Sequence, residues 1–136
     1  MTDNGQRLAR WIFGLAAVYG FVTLLPSYGG LSEVAPDASA DAVLFFHSFL
    51  SLAIAFQVLF AIIASDPRRH RLAMIPAMLD KIAFGIPVLL MRDISAAADF
   101  FVPFALADLA FLPLFAIAFF ACSGSRDGSS PVERPS

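Results

Sequence analysis

Six polar side chains stand inside otherwise apolar stretches of this 136-residue chain, and their types are suited to ligand binding or proton transfer. They are Tyr19, His47, Gln57, Asp80, Lys81 and Asp108. Polar and ionisable side chains within long apolar helices are costly, usually face the interior of a helix bundle, and often mark ligand sites or proton relays. The pattern therefore predicts a buried polar site, and these six residues are candidates for ligand binding or proton coupling.

Lys81 is the centre of this pattern, because it is the only lysine and the eight arginines all lie outside the apolar stretches. Asp80 is adjacent, but successive helical residues point about 100° apart, so the two are expected to face different ways. Asp108 is the better partner, which predicts a Lys81–Asp108 ion pair with Asp80 bonded elsewhere or protonated. The surplus carboxylate calls for a compensating proton, which His47 could supply.

A purely structural role is the alternative interpretation of the same residues. A buried ion pair fixes the register of two helices, and a glutamine such as Gln57 often links helices by hydrogen bonds. His47 alone would fit an interfacial histidine bonded to a loop carbonyl. The joint presence of two aspartates, a lysine, a histidine and a glutamine favours a functional site.

The elements that position these side chains follow from composition. Hydrophobic residues make up 59% of the chain and charged residues 15%, against about half and about a quarter in soluble domains. Four stretches meet or approach the roughly 20 apolar residues that a membrane helix needs. They lie at about 11–28, 42–64, 72–91 and 100–122. The predicted fold is all-α, an integral membrane four-helix bundle over residues 1–122, with a disordered cytoplasmic tail at 123–136.

Local sequence signals predict where the helices begin and end. Pro26 and the two glycines after it predict the end of the first helix. The Asp66-Pro67 pair predicts an N-cap followed by proline at the first position of the third helix. Ser95 or Asp99 is expected to cap the fourth helix.

Small residues at four-residue spacing predict close helix contacts in two places. Ala16 and Gly20 form one such stripe on the first helix. Ala77 and Gly85 form another on the third helix, each four residues from Lys81. The first helix is otherwise expected to contribute mainly packing. Three aromatic residues are expected at the mouth of a pocket near the start of the fourth helix: Phe100, Phe101 and Phe104.

Arginine placement predicts the orientation. Seven of the eight arginines fall in the N-terminal segment, the loop between the second and third stretches, and the C-terminal tail, while Arg92 alone falls on the other side. The positive-inside rule then predicts that both termini are cytoplasmic. The excess of arginine over lysine and the abundant alanine are typical of GC-rich bacterial genomes. The predicted location is a bacterial inner membrane.

Several classes of function lack the residues that they require. Cys122 is the only cysteine, so neither an internal disulfide nor a dithiol redox pair can form. The chain has no zinc-ligand spacing, no glycine-rich phosphate loop and no nucleophile with a base partner. The net charge of −2 and the lack of a basic stripe argue against a nucleic-acid partner. We therefore expect no metal, no cofactor and no catalytic residue.

Polar and proline positions in the second to fourth stretches form a wider pattern. It comprises a glutamine late in the second helix, an Asp-Pro-x-Arg loop, an acidic–lysine pair after a proline in the third helix, and an acid in the fourth. The residues that match are Gln57, Asp66, Pro67, Pro76, Asp80, Lys81 and Asp108. The pattern resembles a family of uncharacterised small four-helix bacterial inner-membrane proteins, loosely DoxX-like in size and layout. The resemblance covers about residues 42–120. It implies that members of the family share these polar positions, but it implies no particular activity.

Three functions fit these features. The first is a membrane protein whose polar centre binds a small lipophilic molecule, such as a quinone, or that serves a larger membrane complex. The second is a proton-coupled small-molecule transporter, which would need a homo-oligomer because four short helices barely enclose a path. The third is an enzyme acting on a lipidic substrate, with His47 and Asp108 as acid and base. It is disfavoured because nucleophile, metal and cofactor motifs are missing.

Overall fold

The computed structural model describes residues 2–123, which contain helices and turns but no strand. Four α-helices form in this part of the chain: α1 (Thr2–Val34), α2 (Ala40–Ser65), α3 (Met74–Met91) and α4 (Ala96–Ala121). A short 3₁₀ helix, Arg71–Ala73, precedes α3. Each α-helix belongs to a segment long and apolar enough to cross a membrane. The predicted all-α architecture with four long apolar helices is confirmed. The predicted tail falls on residues from 124 onward, which are outside the described part of the chain.

The length of α1 departs most from the sequence prediction, because the helix continues through Pro26 to Val34. Proline removes one backbone N–H and leaves a carbonyl of the preceding turn without its donor. Here Thr23 donates to the carbonyl of Tyr19 at 2.9 Å, and Ser27 donates to the carbonyl of Thr23 at 2.8 Å. These bonds are made to carbonyls other than that of Val22, which is the one that loses its donor to Pro26. Apolar helices tolerate proline, and α1 continues past Pro26 to Val34.

Helix capping was predicted correctly at α4 and wrongly at α3. The Ser95 hydroxyl accepts the Ala98 N–H at 3.3 Å and caps α4 as expected. Asp66 instead ends α2, and its carboxylate accepts the backbone N–H of Arg69 at 3.3 Å within the following turn. An aspartate side chain satisfies a turn as readily as a helix start, so α3 begins only at Met74.

The helices pack so that α1 contacts both α2 and α4, α3 packs along α4, and α2 touches α3 at fewer points. Glycines allow two of these contacts. Gly85 of α3 lies against Leu109 of α4, and Gly20 of α1 lies against Gln57 of α2. The remaining small residues of both predicted stripes are also buried, namely Ala16 and Ala77. The predicted packing stripes are confirmed.

The close-packed core lies at one end of the bundle, which we call the sealed end. Phe13, Phe60 and Phe115 are fully buried there. The rings of Phe13 and Phe115 stack with centroids 4.2 Å apart, and Phe60 meets Phe115 edge-on at 5.3 Å. Arg71 closes this end, since its Nε donates to the Phe119 carbonyl at 3.0 Å while its guanidinium lies 4.1 Å from the centroid of the same ring. Such interlocked aromatic packing leaves little free space.

The outer surface of the bundle is apolar on every side. All four helices described here expose large hydrophobic side chains, including Trp11, Phe45, Leu90 and Phe120. A helix on the surface of a water-soluble protein presents an apolar stripe inward and polar residues outward. Helices that are apolar all round need an apolar environment on their outer faces.

Replacing Gly85 with alanine tests the α3–α4 contact. A Cβ at Gly85 would lie 2.7 Å from Leu109 Cγ, and overpacking of this kind costs about 1–3 kcal/mol. Gly14→Ala is the matched control, because a Cβ there meets nothing within 4 Å and alanine favours a helix by about 0.5–1 kcal/mol. We expect the thermal unfolding midpoint in detergent to fall for Gly85→Ala and to rise for Gly14→Ala. Equal stabilisation by both changes would contradict the packing described above.

Candidate functional site

A cavity of about 100 Å³ lies between the sealed end and the end where α2 and α4 begin, and side chains from α1, α2, α3 and α4 line it. We call it the Lys81 cavity. Its volume is sufficient for several water molecules, whereas pockets for whole drug-sized ligands usually measure roughly 300–1,000 Å³. The cavity therefore suits the polar head of a molecule whose apolar remainder lies outside it.

An ion cluster around Lys81 forms the floor of this cavity. The Lys81 ammonium donates to Asp108 Oδ1 at 3.0 Å, so the predicted ion pair is present. The same nitrogen lies 3.3 Å from Asp80 Oδ2. The expectation that Asp80 bonds elsewhere is therefore wrong. The long, flexible lysine side chain lets its ammonium reach back across the angle between adjacent residues.

The cluster is buried unevenly. The Lys81 side chain is 5% exposed, against 19% for Asp80 and 15% for Asp108. The ammonium lies 4.8 Å from the centroid of the Phe60 ring, which places it against the sealed end and within cation–π range. The positive charge is thus enclosed by two carboxylates and an aromatic ring, while both carboxylates retain exposed surface.

Gln57 of α2 brings an unsatisfied acceptor to the same cavity. Its side chain is 3% exposed, and its Nε2 donates to the Ala53 carbonyl at 3.0 Å. This bond sets the amide orientation, because a carbonyl can only accept. Gln57 Oε1 accepts no hydrogen bond from any residue in the described range. It lies against Gly20, where any Cβ would overlap the Gln57 side chain.

The first helix contributes more to the site than packing, contrary to the sequence expectation. Tyr19, Thr23 and Ser27 all line the cavity. The Tyr19 ring packs on Phe111 with centroids 5.8 Å apart, and Tyr19 lies within electrostatic range of Asp108. The spacing of four residues puts the three hydroxyl-bearing side chains on one helix face. This spacing is visible in the sequence and would have identified the face.

Aromatic rings form the wall above the ion cluster. The predicted residues Phe100, Phe101 and Phe104 line the cavity, together with Phe49 and Phe84, which sequence analysis missed. Phe49 and Phe84 stack with centroids 5.5 Å apart and bridge the sparse contact between α2 and α3. No feature of the sequence distinguishes these two phenylalanines from the others in their stretches, so only the helix rotations reveal them.

His47 lies apart from the other predicted site residues. Its Nδ1 bonds the Val43 carbonyl of its own helix at 2.8 Å, and its ring packs on Tyr28 at 5.5 Å. His47 and Tyr28 line a second cavity, of about 260 Å³, between the end of α1 and the start of α2. His47 precedes Gln57 by ten residues, which turns it about 80° away around α2. The expected proton donation from His47 to the aspartates therefore has no direct route.

Within the described residues, no group of three or more His, Cys, Asp or Glu side chains is arranged to hold a metal ion. No protein-family model matches this chain, and no match is found among curated proteins or solved structures. The DoxX-like resemblance stays a prediction, and the chemistry of the site rests on its geometry.

Removing the Lys81 ammonium tests whether the ion cluster holds the site together. Lys81→Met leaves two partly buried carboxylates without their cation. Breaking a fully buried pair costs about 3–5 kcal/mol, and we expect a loss of stability toward the lower end of that range. Adding Asp108→Asn to Lys81→Met removes one carboxylate, so we expect part of the lost stability to return. Thermal unfolding in lipid nanodiscs measures both effects.

Asp93→Asn provides the control for this comparison. The ion pair of Asp93 with Arg92 is exposed, with 84% and 54% of the side chains accessible, and such pairs contribute about 0–1 kcal/mol. We therefore expect Asp93→Asn to leave the thermal unfolding midpoint almost unchanged. A double variant no more stable than Lys81→Met alone would show that repulsion between the two carboxylates is not the cause of the loss.

Proposed function

We propose that this protein is a multi-pass protein of a bacterial inner membrane that binds a small lipophilic molecule through its polar head in the Lys81 cavity. One observation carries the proposal. Polar side chains from four helices converge on a cavity inside a bundle whose outer surface is apolar. Buried polar groups of this kind in membrane helices usually serve a function.

The apolar exterior and the arginine positions support the membrane location and its orientation. Arg7 and Arg10 near the start of α1, and Arg68, Arg69 and Arg71 between α2 and α3, all belong to the sealed end. Under the positive-inside rule this end is cytoplasmic, and both termini lie on that side. The Lys81 cavity then belongs to the half of the bundle nearer the periplasm.

The sparse contact between α2 and α3 supports entry from the lipid. These neighbouring helices touch at few points, and the Phe49–Phe84 ring pair bridges them beside the cavity. A lipophilic molecule concentrates in the bilayer, so a lateral opening gives it a shorter route than one through water. Its head would reach the ion cluster while its apolar body stays among the aromatic side chains.

Filling the cavity without altering its charges tests the proposal. Ala53 lines the cavity, whereas Ala55 on the same helix is exposed. We expect protein purified in mild detergent to retain a small lipophilic compound, detected by mass spectrometry of organic extracts. Ala53→Leu should lower the retained amount at least about tenfold, because the larger side chain occupies space that the ligand head needs in this small cavity and overpacking costs about 1–3 kcal/mol. Ala55→Leu should leave it unchanged.

The same comparison defines failure. If wild-type protein carries nothing beyond what detergent alone extracts, or if both leucine variants retain the compound equally, the Lys81 cavity is not its binding site. Circular dichroism and size-exclusion profiles of both variants establish that they are folded.

Proton-coupled transport by a homo-oligomer is the second candidate, because two carboxylates share one ammonium beside the cavity. Paired carboxylates that compete for one cation are suited to binding and releasing a proton. The aromatic packing at the sealed end blocks a continuous path in this conformation, so binding stands first. Uptake of the retained compound into reconstituted vesicles, driven by an imposed pH gradient, would favour transport.

A further inference from the structure

The hydrogen-bonding groups around the Lys81 cavity do not balance, because acceptors outnumber donors. Asp80 and Asp108 each use one oxygen to bond the ammonium, and the second oxygen of each accepts no hydrogen bond from a described residue. The buried Oε1 of Gln57 is likewise without a donor in this part of the chain. Two carboxylate oxygens at one small cavity are thus left over, and a third acceptor is buried against Gly20 beside them.

The donors around the cavity, in contrast, are mostly engaged. The Lys81 ammonium bonds two carboxylates and faces the Phe60 ring. The hydroxyls of Thr23 and Ser27 donate to backbone carbonyls of α1. Tyr19 is the exception, since its hydroxyl makes no hydrogen bond to a described residue. One phenol cannot satisfy three acceptors, two of which belong to carboxylates.

The formal charges have the same imbalance. Asp80 and Asp108 carry two negative charges when ionised, and Lys81 carries one positive charge, which leaves a surplus of one negative charge at the cavity floor. Electrostatic interactions are stronger in a poorly solvated site than in water. A cation entering the cavity is therefore attracted, whereas an anion is repelled.

The aromatic wall is equally suited to a cation. Phe49, Phe84, Phe101 and Phe104 line the space above the carboxylates, and the faces of aromatic rings attract ammonium groups. An acceptor-only head, such as the carbonyls of a quinone, finds the Lys81 ammonium already engaged and meets carboxylate and amide oxygens instead.

We propose that the Lys81 cavity selects a lipophilic amine, whose ammonium head bonds Asp80 and Asp108 while its apolar body contacts the phenylalanines. This inference rests on the proposed function and specifies its ligand class. Hydrogen bonds between an ammonium and a carboxylate are roughly twice as strong as neutral ones, and an ammonium supplies three donors to a site with surplus acceptors.

Three probes with similar phenylalkyl bodies and different heads test the proposal. They are phenylbutylamine, phenylbutanol and phenylbutyrate, which at neutral pH present a cationic, a neutral and an anionic head. Binding to the full-length protein in nanodiscs is measured by equilibrium dialysis, and the uptake of protein-free nanodiscs is subtracted. We expect the amine to bind at least about tenfold tighter than the alcohol, and the carboxylate to bind more weakly than both.

Charge variants locate the preference. Replacing both Asp80 and Asp108 with asparagine changes the formal charge of the cluster from −1 to +1, so the double variant should prefer phenylbutyrate to phenylbutylamine. Asp93→Asn makes the same chemical change at an exposed position and should keep the wild-type order. Size-exclusion profiles verify that the variants are folded. If a variant does not fold, the three probes bound to wild-type protein still decide whether the cavity prefers an amine.

The outcomes separate the two proposals. If wild-type protein binds the alcohol or the carboxylate as tightly as the amine, the amine inference is overturned and a binding cavity of another specificity stands. If no probe binds, the inference is overturned as well. If the wild-type protein also retains no compound on purification, the proposed function is overturned with it.

Discussion

The Lys81 ammonium must find acceptors where it lies, and this requirement constrains the structure around it. A cation in an apolar interior is strongly disfavoured unless it is paired and hydrogen-bonded. The two carboxylates that meet it come from α3 and α4, so these helices must face each other at one register. Gly85 allows the close contact with Leu109 that this register requires. The ion cluster and the helix packing therefore depend on each other.

The bundle is divided into two halves with different roles. Phe13, Phe60 and Phe115 fill one half, while the other half contains a cavity with polar groups on its floor and aromatic rings on its wall. The Lys81 ammonium lies at the boundary, because Phe60 belongs to the sealed end. Aromatic side chains close the bundle at one end, and the cavity lies toward the other end. This arrangement is better suited to binding a molecule than to passing it across the bundle.

A purely structural ion pair explains part of this arrangement. It accounts for the bond between Lys81 and Asp108, since such a pair fixes helix register. It does not account for Asp80 as a second carboxylate on the same ammonium or for the cavity. It also does not explain why the Gln57 oxygen has no donor among residues 2–123. Acceptors without a donor in a poorly solvated site are costly, and a donor-bearing ligand would bond the free carboxylate oxygens of Asp80 and Asp108.

The sequence by itself determined the four long apolar helices and the pairing of Lys81 with Asp108, and it narrowed the cap of α4 to Ser95 or Asp99. Hydropathy and capping signals are local in the sequence, so they predict helices and their ends. The ion pair was predictable because Asp108 is the only acidic residue within the apolar stretch of the neighbouring helix. The tertiary structure decided that α1 continues through Pro26, that Asp80 shares the ammonium, and that His47 lies at another cavity. These features depend on how each helix is rotated about its axis and on how far a side chain reaches, and no local pattern encodes either.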